Sequence, residues 1–166
     1  MSARLRTELL LPLACALGAI MLGASEFATT FELRPPGGET QELLEAADRH
    51  HYAVLVLAIF ALLAVLITVL TGARAAAFAV AAAGAIALLI FLIADLPDVN
   101  QVGTVNDPRQ SFIDAKAYPA AGFWLQLVGS AVLAVCGGAL ATLRPDQLRE
   151  LSPWAAKTEQ GPSYQR

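Results

Sequence analysis

Six polar side chains sit at the ends of long apolar runs in this 166-residue sequence: Glu26, His50, His51, Asp95, Asp98 and Gln126. Carboxylates and imidazoles are the groups that bind cations or relay protons. Ionisable side chains at membrane depth are costly, which makes Glu26 and Asp95 the leading candidates. Glu26 closes the first run, His50 and His51 open the second, and Asp95 and Asp98 close the third. Gln126 lies about two helical turns into the fourth. In a bundle these ends converge, so the six residues could line one outward-facing pocket. The plainer reading makes the carboxylates and histidines interfacial and gives Gln126 one interhelical hydrogen bond, worth ~1 kcal/mol.

Other chemistry has no signature. The sequence holds no Walker A loop, GxGxxG, HExxH, GxSxG, EF-hand loop or Asn-x-Ser/Thr. His50 and His51 are the sole histidines, and they are adjacent, so one chain cannot supply a heme with two histidines from different helices. Cys15 and Cys136 lie within apolar runs without metal-type spacing and read as small packing residues. No catalytic residue, cofactor or resident metal is expected.

The elements that must position the six residues are set by composition. Hydrophobic residues make up 57% of the chain, and charged residues 15% against a typical ~25%. That leaves too little polar surface for a water-soluble domain. The net charge of −3 and the absence of a basic block argue against nucleic acid as a partner. Four apolar runs follow: Leu9–Ala28, Tyr52–Leu70, Ala75–Ile93 and Ala120–Leu143, of 20, 19, 19 and 24 residues. A helix needs roughly 20 residues to cross a bilayer core. Among all charged side chains only Glu26 falls within a run. Backbone groups in lipid must bond within their own segment, and the runs are continuous rather than alternating. The expectation is an all-α fold: an antiparallel four-helix transmembrane bundle over residues 1–143, with a cytoplasmic tail over 144–166 whose end, from Lys157, is disordered. The first run reads as a retained span, because its apolar core exceeds the ~7–15 residues of a signal peptide.

Lys and Arg counts orient the spans. Arg4, Arg6, Arg74, Arg144, Arg149, Lys157 and Arg166 share one side; Arg34, Arg49, Arg109 and Lys116 share the other. Ten of the fourteen acidic residues join the second group, giving it a net −6 against +3 for the first. Both termini are therefore expected in the cytoplasm.

Thr71–Arg74 is short enough only for a hairpin. The outward loops Thr29–His51 and Ala94–Pro119 are expected to fold over the outer face. After Pro35-Pro36-Gly37-Gly38, the spacing over Glu39–Arg49 predicts a helix running into the second span. Asn106–Arg109 reads as a turn. Small residues recur at helical spacing: Ser130, Ala134, Gly138 and Thr142 on the fourth span, Cys15, Ala19 and Gly23 on the first, and Ala77, Ala81 and Ala85 on the third. Such stripes let membrane helices approach closely. Phe123, Trp124, Tyr52 and Tyr118 are expected at the outer interface, and Trp154 at the inner one.

Ala24-Ser25-Glu26-Phe27, Arg49-His50-His51-Tyr52-Ala53, Asp95-Leu96-Pro97-Asp98 and Ala121-Gly122-Phe123-Trp124-Leu125 together carry a resemblance. Over roughly Leu9–Leu143 the chain resembles small four-span integral membrane proteins of high-GC bacteria, a group with no known activity. The resemblance implies the topology and nothing about chemistry. Claudin-like proteins share four spans and two outer loops, but Thr29–His51 has neither their Trp-Gly-Leu-Trp nor their paired cysteines. Tetraspanins are set aside for the same want of loop cysteines. The reading that follows is a multi-pass, non-enzymatic accessory or scaffold protein of the cytoplasmic membrane, its partners the bilayer and a second copy or another membrane protein. The alternative is an outward-facing ligand-binding, ion-binding or transport protein using the six polar residues.

Overall fold

The structure, a computed structural model, describes residues 3–35, 42–45, 51–105 and 113–151. His50, the expected turn at Asn106–Arg109, Trp154 and the tail from Lys157 lie outside the described residues. The chain is mostly helical. Helix α1 spans Ala3–Ser25, α2 Ala53–Thr71, α3 Arg74–Ile90 and α4 Ala121–Thr142. A short α5, Pro145–Glu150, follows. α4 packs on both α1 and α3, and α2 closes against the same two helices.

Three helical stretches are long and apolar enough to cross a membrane: Ala53–Thr71, Arg74–Asp98 and Ala121–Thr142. Only about a third of each is buried within the protein (33, 33 and 39%). The remaining surface is apolar too, which water would not tolerate over such an area. α1 continues the pattern over its described side chains, Leu10–Ser25, with Leu10, Leu13, Leu17 and Ile20 outward and Cys15, Ala19 and Leu22 inward.

Side-chain size runs opposite to that of a soluble core. Ala58, Ala61 and Ala64 of α2 and Ala77, Ala83 and Ala87 of α3 face inward, while Ile59, Phe60, Leu63 and Leu66 face outward. Large apolar groups lose nothing in lipid, whereas small inward ones let backbones meet. The closest approaches occur at glycines. A Cβ on Gly84 of α3 would lie 2.4 Å from the Ala134 amide nitrogen of α4. One on Gly129 of α4 would lie 2.8 Å from the Gly18 carbonyl oxygen of α1. Gly122 abuts the carbonyls of Ala28 and Thr29 in the same way, at 2.6 and 2.9 Å.

These contacts amend the expected stripe. A Cβ on Gly138 would meet nothing within 4 Å, and Gly137, one residue away, is the one pressed against Ala81. One residue turns a helix face by about 100°, so the contact rows run through Gly122, Gly129 and Gly137 rather than Ser130, Ala134 and Gly138. Ala134 contributes its backbone under Gly84, and Ser130 is buried with its hydroxyl returned to the Leu127 carbonyl. Gly23 of α1 makes ordinary contact with Ala58 and Leu55 of α2.

The all-α expectation needs correction at the outer end. Strands β1 (Thr29–Arg34), β2 (Glu42–Glu45), β3 (Val102–Val105) and β4 (Ile113–Pro119) form one antiparallel sheet in the order β2-β1-β4-β3. The two loops thus pair with each other, through β1 and β4. The helix expected over Glu39–Arg49 is overturned at Glu42–Glu45, where Leu33, Glu32 and Phe31 of β1 stand opposite Glu42, Leu43 and Leu44. A four-residue Glu-Leu-Leu-Glu fits either periodicity, and the ladder to β1 decides it. No continuous helix enters α2 either, because His51 and Tyr52 take left-handed backbone angles (φ 51° and 63°) and α2 starts at Ala53.

Two helices also end differently from the apolar runs. α1 stops at Ser25, where the amides of Glu26, Phe27 and Ala28 turn back to the carbonyls three residues earlier. α3 continues through a π-helical turn, Phe91–Asp95, and a 3-10 turn, Leu96–Asp98. At the opposite end, Leu148 of α5 and Leu151 just after it fold onto the core.

Gly84→Ala should lower stability by about 1–3 kcal/mol, because the backbone of α4 must move away. Gly138→Ala should stay within about 0.5 kcal/mol of the parent. Unfolding of the detergent-solubilised variants in rising SDS measures the difference.

Candidate functional site

The end of the helices next to the sheet carries most of the buried polar side chains. Ser25, Glu26, Thr30, Asp95, Gln126 and Ser130 are all buried there, and only Thr68 lies elsewhere among the described residues.

Glu26 is built in by the start of α2. The first amides of a helix have no partner within it. The residue before Ala53 is Tyr52, held left-handed and making no side-chain cap. Glu26, arriving in the turn after α1, supplies the missing acceptor: its Oε1 receives the Val54 N–H at 3.0 Å. The positive end of the helix dipole favours a carboxylate at that place. Glu26 therefore caps a helix from 28 residues away.

Asp95 and Gln126 form a second pair. Asp95 ends the π-helical turn, in which the Leu96 N–H reaches back five residues to the Phe91 carbonyl. Pro97 follows and has no N–H to continue a regular helix. Gln126 lies on the α4 face that holds Gly122, Gly129 and Leu133. Its Nε2 donates to Asp95 Oδ2 at 2.8 Å, with both side chains wholly buried.

Three buried side-chain atoms among the described residues have no hydrogen-bond partner: Glu26 Oε2, Thr30 Oγ1 and Gln126 Oε1. All belong to this layer, and all are oxygens. The other buried hydroxyls bond locally, Ser25 to the Leu22 carbonyl at 2.6 Å and Thr68 to the Ala64 carbonyl at 2.8 Å.

An aromatic wedge joins the layer to the sheet. The Phe123 ring of α4 lies 5.7 Å from Phe31 of β1 and 4.7 Å from Phe91 of the π-helical turn. Ala117 of β4 completes the cluster. Phe123 is thus a core residue and not part of an interfacial belt; Trp124, Tyr52 and Tyr118 are exposed. On the sheet, the Tyr118 ring lies under two cations, Arg34 at 5.5 Å and Lys116 at 5.6 Å, while Arg34 also pairs with Glu32.

Of the six candidates, Glu26, Asp95 and Gln126 share the buried layer, whereas His51 and Asp98 stand outside it. Glu26 goes to the start of α2, and Asp95 joins Gln126. His51 is exposed at the left-handed entry to α2, outside the buried layer. Asp98 is half-buried in the 3-10 turn, its carbonyl accepting the Gln101 N–H at 3.2 Å. Among the described residues no three His, Cys, Asp or Glu side chains gather as metal ligands. Thr30 and the wedge were not foreseen; the 122, 126, 129, 133 spacing on the fourth run was the signal that Gln126 and the flanking Phe123 face inward.

These features define a mostly helical protein whose apolar helices suit a membrane location. No family model matches the chain, and neither a curated protein nor a solved structure does.

Glu26→Ala should destabilise by about 1–3 kcal/mol, since the Val54 N–H loses its acceptor. Glu26→Gln should recover most of that, because an amide oxygen still accepts. For Asp95→Ala and Gln126→Ala, a double-mutant cycle in SDS should give a coupling of about 0.5–1.5 kcal/mol; additive effects would mean that the bond contributes nothing.

Proposed function

We propose that the chain is a multi-pass integral protein of a bacterial cytoplasmic membrane. In this reading α1 to α4 are four spans of an antiparallel bundle, and both termini are cytoplasmic. The protein works without catalysis, as an accessory or scaffold component of a membrane assembly. The observation that carries the reading is the outer sheet. Two loops that could have moved independently are paired through β1 and β4 and fixed to the helices by Phe31 and Phe123. That makes a braced platform whose edge strands, β2 and β3, pair with no further strand among the described residues. Open edges are what a partner strand pairs with. Exposed Val102 and the uncharged Val102-Gly103-Thr104-Val105 leave the β3 edge without the charges that usually block such pairing.

The buried layer favours a second reading, an outward-facing ligand- or ion-binding protein. A transport path has less support: α1 to α4 bury Ala, Val, Leu, Cys15 and Thr68 below the layer, with no charged group among the described residues.

A tagged protein purified in mild detergent should bring down one stoichiometric partner, either a second copy or another membrane protein. A lone monomer under those conditions would overturn the scaffold reading. Tags at either terminus should resist an impermeant label in intact cells, while Val102→Cys should react. Labelling of either terminus would reverse the orientation.

A further inference from the structure

We propose that the buried layer beneath the sheet binds one hard monovalent cation, of the Na+ class, with Glu26 Oε2 as its charged ligand and Gln126 Oε1 as a neutral one. The inference does not rest on the scaffold reading.

The first support is the pattern of orphaned atoms. Buried polar atoms in folded proteins nearly always have partners. Here every exception among the described residues falls in one layer, and each is an oxygen. The carboxylate and amide oxygens only accept and the Thr30 hydroxyl can accept as well, so all three can turn to one positive charge.

Placement supplies the second. Gln126 lies on α4 between Gly122, pressed on Ala28 and Thr29, and Gly129, pressed on Leu22. It therefore stands opposite the stretch of chain that holds Glu26. Its amide nitrogen is taken by Asp95 of α3, which leaves the oxygen as the free end. Glu26 commits its other oxygen to α2. Thr30, four residues on from Glu26, is tied to the start of α4 by the Ala120 N–H to its carbonyl, and brings a third orphaned oxygen to the same end.

Charge supplies the third. One N–H and a helix terminus, worth about half a charge, do not fully neutralise a desolvated carboxylate. Water could fill two acceptor sites but would leave the charge. Besides Glu26, the described side chains at this end include Glu32, Asp95, Asp98 and Asp114 against Arg34 and Lys116, a net −2 that favours cations there. All-oxygen ligation suits a hard ion. Mg2+ dehydrates reluctantly and holds a near-ideal octahedron; one uncommitted carboxylate oxygen with neutral partners balances a single positive charge better than two.

The test is thermal unfolding of the purified full-length protein in detergent, in NaCl, KCl, LiCl or choline chloride at equal ionic strength. In the parent protein at least one alkali salt should raise Tm over choline, saturably, by about 3–6 °C. In Glu26→Gln, which keeps an acceptor for Val54, and in Gln126→Leu, the difference should fall below about 1 °C. Equal Tm in all four salts, or a shift that persists in both variants, would overturn the proposal. Should Glu26→Gln fail to fold, the parent titration and Gln126→Leu decide the matter.

Discussion

A helix that starts in apolar surroundings must find acceptors for its first amides, and the bond from Val54 N–H to Glu26 meets that need for α2. Water would solvate those groups in a soluble protein; lipid and packed protein do not. Tyr52 offers no cap of its own. The carboxylate must therefore come from another part of the chain, and that sets where α1 can end. Ser25 terminates the helix with its hydroxyl on the Leu22 carbonyl, and the tight turn that follows delivers Glu26 to α2. β1 begins three residues later at Thr29, so the cap also sets where the sheet starts.

Glycine contacts hold the helices in the same arrangement from the other side. With so little room at Gly122, Gly129 and Gly84, α4 is tied in register to both α1 and α3. That register is what brings Gln126 level with Asp95. The π-helical turn contributes as well. One extra residue in a turn rotates everything after it, and Asp95 is the last residue of that turn. Phe91, at its first position, packs on Phe123, whose ring also meets Phe31. Backbone irregularity, aromatic wedge and buried pair are thus one local solution, shared among α3, α4 and β1.

The parts of this arrangement that could be read in the sequence are those set by local composition. Four continuous apolar runs marked the helices to within a few residues, because hydropathy is a property of each segment alone. The polar residues Glu26, Asp95 and Gln126 were legible as types, since so few occur within or beside those runs. Their partners were not. The acceptor role of Glu26 is toward a backbone amide, and backbone amides leave no trace in sequence. The pairing of β1 with β4 joins segments some eighty residues apart, and Glu42–Glu45 carries no local preference strong enough to announce a strand. Gly137 and Gly138 are adjacent and identical, so which of them faces a neighbour depends on a rotation that only packing defines.

The two ends of the helices differ in kind. Apolar Leu148 and Leu151 close the end away from the sheet, while carboxylates, an amide and hydroxyls occupy the sheet end beside a cluster of three phenylalanines. Burial cuts these groups off from the water that they would gain most from. An apolar layer there would have been the simpler way to stability, since replacing buried ionic groups by well-packed hydrophobic ones is often neutral or favourable. Exposed or half-buried Glu32, Asp98 and Asp114 lie at the same end. Buried carboxylates and orphaned oxygens therefore coincide at one end of the helices, and the apolar remainder of the helices holds that end in place.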